Sequence, residues 1–325
     1  MTIHDRLNSA APTRIGLGLA AVGRPAYINI GHDVDLPPER SVAALRGRTH
    51  ELLDAAYAGG VRYVDVARSY GRAEQFLSEW LDRRDDVQDV VVGSKWGYTY
   101  TAGWRMDVEV HEVKDHGPAT FDRQIVETRQ LLRGRLSMYH VHSVTPESSA
   151  LTDAALHRRL AALAADGVTV GLSTSGPAQA DAIRAALAVT FDGVPLFRSV
   201  QATWNPLEPS AGMALAEARE AGCVVIVKEA LANGRLAGGE PGRATATLTA
   251  LADELAATPD AIALAAALYQ PWATVVLSGA ATTAQVRANL RATAVTLRPD
   301  DVGGLLDLAE PAEQYWHHRS GLAWV

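Results

Sequence analysis

Val61-Arg-Tyr-Val-Asp65-Val-Ala-Arg-Ser-Tyr70-Gly71 is a short strand followed at once by a polar loop. β-Branched and aromatic residues fill its first half, as a buried strand requires. An acid and a phenol stand at its end. On either side, near 39–59 and 72–84, apolar residues recur at helical spacing. The same alternation runs through the chain. Strands are expected near 14–19, 61–65, 89–94, 137–141, 168–172, 198–202, 223–227 and 274–277. Helices are expected near 39–59, 72–84, 119–133, 151–166, 177–189, 210–221, 245–257 and 282–292, with one more near 299–310. Eight strand–helix pairs in 325 residues point to an α/β fold, a single-domain (β/α)8 TIM barrel with an extra C-terminal helix. No linker rich in Gly, Ser or Pro divides the chain, so 1–325 reads as one unit, with 1–13 and 311–325 as peripheral segments.

Helix punctuation agrees with this reading. Ser210 is a candidate N-cap. Gly60, Gly167 and Gly222 each follow a helical run, where a left-handed residue ends it. Two loops are long for a barrel: 22–38 after the first strand and 96–118 after the third. Long strand-to-helix loops in barrels carry function. Their aromatics, Tyr27, Trp96, Tyr98 and Trp104 among them, are candidate substrate-pocket walls.

Composition narrows the class. The formal charge of −7 and the lack of any Lys/Arg block argue against a nucleic-acid groove. Cys223 is the only cysteine, so no intramolecular disulfide or thiolate cluster forms, and its apolar setting marks a packing thiol. No metal-site pattern and no phosphate-loop motif occur. The amino-terminal stretch has no apolar core of the secretory kind and no apolar run reaches membrane length, so a cytoplasmic location is expected.

Three successive strand ends deliver chemistry. Asp65 and Tyr70 follow the second, Lys95 ends Asp89-Val-Val-Val-Gly-Ser-Lys95, and His142 ends Ser137-Met-Tyr-His-Val-His142. A phenol is a poor proton donor at neutral pH. A nearby ammonium favours the phenolate, and a carboxylate holds that ammonium in place. His140 competes with His142, because residues two apart on a strand share a side. The Tyr-x-x-His spacing and the strand end favour His142.

This set, Asp65-Val-Ala-Arg-Ser-Tyr70-Gly71, Gly93-Ser-Lys95 and Tyr139-His-Val-His142, resembles the tetrad signature of the aldo-keto reductase family. The resemblance implies that Tyr70 protonates a carbonyl oxygen, Lys95 and Asp65 tune it, and His142 orients the carbonyl. It extends to the second half of the chain. Ser173, Thr174 and Gln201 stand where the family holds the nicotinamide carboxamide, with threonine replacing asparagine. Leu231, Asn233, Gly234 and Arg235 resemble the pyrophosphate loop. Gly279, Thr282, Gln285 and Asn289 resemble the adenosine-phosphate loop and the helix after it, and helix N-termini suit phosphate.

Two departures stand out. Lys228 occupies the place where many members stack an aromatic ring on nicotinamide. It can pair with Glu229, a phosphate or substrate, or form a Schiff base, and a contact to the cofactor's phosphates is the favoured expectation, since Arg235 follows in the same loop. Gly279 and Gln285 stand where NADP-preferring members carry Lys and Arg, with Arg287 as a substitute cation nearby. The expected cofactor is NADP, with NAD as the alternative. The expected activity is interconversion of an aldehyde or ketone, a sugar included, with its alcohol, without metal. The competing readings are a lyase or isomerase on the same fold using Lys228, and a nucleotide-binding regulatory subunit.

Overall fold

The computed structural model describes Leu7 and residues 13–325. Eight parallel strands close into a barrel: β1 Ile15–Gly18, β2 Tyr63–Asp65, β3 Val91–Trp96, β4 Leu136–Val144, β5 Thr169–Thr174, β6 Ser199–Thr203, β7 Val224–Lys228 and β8 Val275–Ser278. Each strand pairs with the next in sequence, and β8 closes on β1. The chain is thus a (β/α)8 TIM barrel in one domain. All the expected strands are present, and β4 runs through His142 to Val144 with a shifted register past Val141.

Around the barrel lie α1 Val42–Ala58, α2 Ala73–Leu81, α3 Pro118–Leu132, α4 Ala154–Ala165, α5 Gln179–Leu187, α6 Gly212–Glu220, α7 Arg243–Glu254, α8 Pro259–Tyr269, α9 Thr283–Leu290 and α10 Pro299–Leu306. Side-chain caps start several of them. Ser41 accepts from the Ala44 amide, and Asp153 from the Ala155 and Leu156 amides. Ser210 does not cap α6; its hydroxyl donates to Glu208 instead, and α6 begins two residues later. Gly60, Gly167 and Gly222 have φ of 91°, 89° and 80°, the left-handed exits expected of them.

The reading of one helix beside each strand fails at one place. α8 lies between α7 and β8, and it is buried from Ala261 to Ala267. Its apolar residues surround the helix instead of forming one stripe, so no amphipathic period announces it. A helix is buried all round when a second helix covers its outer side, and α7 takes that place.

The barrel floor is a separate apolar cluster in which Leu7 meets Tyr63, Met138, Ile226 and Leu277. Gly93 on β3 makes room at its upper edge, since a Cβ there would stand 2.2 Å from the Tyr63 Oη. That hydroxyl reaches up to Asp65 Oδ2 at 3.4 Å. Cys223 is buried. No helix among the described residues is long and apolar enough to cross a membrane.

Candidate functional site

Strand register brings the polar strand ends to one mouth. Gly18 lies beside Asp65, Asp65 beside Gly93, and Lys95 beside His140. The Lys95 ammonium, fully buried, forms an ion pair with Asp65 and donates to the Val66 carbonyl at 3.1 Å and to the Tyr70 Oη at 3.2 Å. Across the barrel Gln201 Nε2 donates to Asp65 Oδ2 at 2.8 Å. Asp65 is therefore held from the floor by Tyr63, from the side by Lys95 and from opposite by Gln201. A buried charge pair keeps its form only with such satisfaction.

His142 faces the mouth, its ring edge-on to Tyr70 and Tyr98 at centroid distances of 5.6 and 5.1 Å. Its Nδ1 lies 3.5 Å from Ser69 Oγ. His140 instead points into the barrel, where its Nε2 is 2.9 Å from Ser199 Oγ, and burial pushes it down to about 3. The two imidazoles thus lie at different depths, His140 on Ser199 inside the barrel and His142 at the mouth.

The electrostatics differ from the sequence expectation at Tyr70. Burial raises the phenol well above its ordinary pKa, Asp65 raises it further, and Arg24 opposes them. Lys95 was expected to ease its ionisation, but that ammonium is already matched by Asp65, so the pair offers a phenolate little net charge. The phenol is held protonated. His142 is held neutral, pushed well below its usual value by burial and then by Lys95 and Lys228.

Tyr70 and His142 line a cavity of about 650 Å³. It runs past Gln201, Lys228, Leu231, Asn233 and Gly234 to Gly279, Gln285 and Asn289. Tyr27 and Tyr98 are also in its wall. Other expected residues stand outside that lining. Trp96 is fully buried against Phe121 and His116, and Trp104 packs on Phe76 while its indole N–H donates to the Arg40 carbonyl. Ser173 accepts from the Ser143 amide, and Thr174 donates to Gln179, so both hydroxyls are used inside the fold. Arg235 is spent on Glu240 and Glu310. Thr282 caps α9, accepting from the Gln285 amide.

Arg24, Arg319 and Trp324 line the cavity without any signal in the sequence reading, whereas Glu112 stood among polar loop residues that would suit a sugar. The loop after β3 forms a hairpin, Tyr98–Tyr100 against Glu112–Lys114, that brings Glu112 to the wall. There Glu112 pairs at 2.8 Å with Arg24, whose guanidinium sits over Tyr27, Tyr70 and Trp324. Residues 311–325 were expected to be peripheral. Instead a last helix, α11 Ala312–Ser320, places Arg319 bidentately on Glu229. The tail beyond it pairs Val325 with Tyr27 and stacks Trp324 on His111 at 4.2 Å. Only folding brings the chain end to the mouth. Lys228 donates to Thr203 Oγ1 at 2.6 Å and lies 3.6 Å from Glu229. Burial lowers it to about 8. Glu229, which burial alone would raise, is brought down to about 2 by Arg319 and Lys228.

A barrel with these strand ends matches known proteins along nearly its whole length: the sequence model of the aldo/keto reductase family covers residues 14–310. The chain belongs to the aldo/keto reductase family. Like other aldo/keto reductases it is an NAD(P)-dependent oxidoreductase. The aldo-keto reductase str7 of Strobilurus tenacellus is 26% identical over 294 residues, 81% of each protein. The fold is shared with an aldo-keto reductase from Bacillus halodurans in its holo form, at a TM-score of 0.70 and 20% identity, over 93% of this chain and 95% of that one. It is shared too with the glycerol dehydrogenase of Gluconobacter oxydans, at a TM-score of 0.69 and 18% identity, over 92% and 93%.

Proposed function

We propose that this aldo/keto reductase reduces a small polar aldehyde or ketone, with Tyr70 as the general acid. The observation that carries the reading is the buried Asp65–Lys95 pair ending 3.2 Å from the Tyr70 hydroxyl, at the wall of the same cavity as His142. A phenol held protonated by burial is in the form that carbonyl reduction needs. As a carbonyl oxygen gains charge, the Tyr70 proton moves to it, and the oxygen left behind keeps the hydrogen bond that Lys95 Nζ donates at 3.2 Å. His142, neutral, orients the carbonyl by a hydrogen bond.

The cavity fits a nicotinamide dinucleotide. Its volume lies in the range of cofactor clefts. Gly234, Gly238, Gly239 and Gly279 line it, so backbone is open to a phosphate chain. Asn233, only 6% exposed and at φ 54°, has a side-chain oxygen without a donor among the described residues. Asn233, Gly234, Gln201, Gln285 and Asn289 would hold the cofactor, which supplies the hydride when bound. The substrate end alternates charge and aromatic surface: Arg24 with Glu112, Lys228 with Glu229, then Tyr98 and Trp324. That lining suits a hydroxylated carbonyl such as a sugar. The test is titration of the purified protein with NADH and NADPH, followed by turnover on a panel of aldehydes, ketones and aldoses. Absence of both nucleotide binding and turnover would sink the reading.

A further inference from the structure

The end of the cavity remote from Tyr70 has its own chemistry. Its wall there is built from Asp35, Asp260, Gly279, Gln285 and Asn289. Gln285 and Asn289 stand one turn apart on a single face of α9. Each amide is aimed at a carboxylate. Gln285 Nε2 donates to Asp35 Oδ2 at 2.8 Å, and Asn289 Nδ2 donates to Asp260 Oδ2 at 2.8 Å. Three amides around the helix N-terminus are used as well. Gln285 Oε1 accepts from the Ala281 and Thr282 amides at 2.8 and 3.2 Å, and Thr282 Oγ1 accepts from the Gln285 amide. These are donors that would otherwise face an anion.

Among the described residues no Lys or Arg forms an ion pair with the carboxylate of Asp35 or Asp260, which accept from amides instead. Arg24, Lys228 and Arg319, the Arg and Lys residues of the wall, pair with Glu112 and Glu229 toward the catalytic end. Arg48 lies behind the wall, its Nη1 on the Asp35 and Ala281 carbonyls and its Nε beside Glu51. Arg287, the substitute cation expected from the sequence, is exposed on α9 and bonds Thr283.

We infer that this chain selects NAD(H) over NADP(H), with Asp35, anchored by Gln285, accepting from the adenosine ribose hydroxyls and repelling a 2′-phosphate. The inference rests on the reading of this cavity as the dinucleotide site. A carboxylate accepts hydrogen bonds and donates none, so it fits a diol and rejects a phosphate dianion. Like charges brought together at a desolvated contact are strongly unfavourable. The NADP expected from the sequence gives way here, since Gln285 and Asn289, two of the residues that resembled a phosphate grip, hold carboxylates in place.

Equilibrium binding tests this without turnover. Quenching of protein fluorescence by NADH and NADPH should give NADH an affinity about tenfold or more tighter. 5′-AMP should displace bound NADH better than adenosine 2′,5′-bisphosphate. Two variants should move the ratio toward NADPH. Asp35→Asn removes the repulsion. Gly279→Lys adds a cation where nothing lies within 4 Å of a new Cβ. Equal or tighter NADPH binding by the unaltered protein would overturn the inference while leaving the dinucleotide reading intact. A ratio unmoved in both variants would also overturn it. Failure of both nucleotides and of 5′-AMP to bind would remove the dinucleotide reading itself.

Discussion

The two ends of the cavity hold their acids in opposite ways. At the catalytic end Asp65 is 2% exposed and fixed by a lysine, a phenol and an amide that all come from barrel strands. At the far end Asp35 and Asp260 are partly exposed, one ending a short helical turn and the other near a helix start, and their carboxylates accept from neutral amides. A buried carboxylate with a paired ammonium tunes a proton donor. A half-exposed one with free lone pairs recognises a ligand. On the proposed reading the same residue type serves chemistry at one end and selection at the other, and its surroundings decide which.

The sharpest way to break this contrast is at Tyr70. Tyr70→Phe should lower carbonyl turnover roughly a hundredfold or more while nucleotide affinity stays within about twofold. Retention of most turnover would make the phenol a wall aromatic. Lys95→Met should be as severe in rate and should also cost stability, about 3–5 kcal/mol in a denaturant melt, because Asp65 is left buried without its partner. A variant as stable as the parent would show that Asp65 does not depend on the pair.

A smaller effect is expected at the floor. Gly93→Ala would drive a methyl into the Tyr63 hydroxyl and should destabilise the protein by about 1–3 kcal/mol, with a lower kcat as Asp65 loses that support. Unaltered melting and kcat would show that the floor does not support the acid.

The pH profile sharpens the comparison further. Tyr70 is raised and His142 lowered, so neither should give a limb between about pH 7 and 9. Lys228 should, because it is charged below about 8 and neutral above. Affinity for the nucleotide or substrate should fall a few-fold as pH rises through that value, and Lys228→Met should abolish the inflection. Loss of the inflection in affinity for the nucleotide alone would place Lys228 on the cofactor side; loss for substrate alone would place it on the carbonyl side. An inflection that survives the substitution would belong to another group.

Much of the candidate site is legible because it sits on strands. Asp65, Lys95 and His142 are at strand ends, and a barrel takes strand ends to one face whatever the helices do. The expectations that missed concern residues whose place depends on packing. Trp96 follows Lys95 in sequence, yet strand alternation turns its indole to the outer side, onto Phe121. Ser173 and Thr174 end the expected strand, but their hydroxyls meet Ser143 and Gln179 before they meet the cavity. α8 escaped notice because a helix covered on all sides shows no period.

Local sequence determined the alternation of strands and helices, the glycine exits and the order in which polar residues reach the strand ends, because each depends on neighbours within one or two turns. Sequence spacing favoured His142 over His140, but tertiary structure alone decided what each ring meets, Ser199 for His140 and the cavity for His142. It alone set the direction of the Tyr70 shift, because burial outweighs a lysine already paired. It alone brought Arg319 and Trp324 from the chain end to a wall that starts at Gly18. These are contacts across hundreds of residues, and their energies come from burial and charge, which no local pattern records.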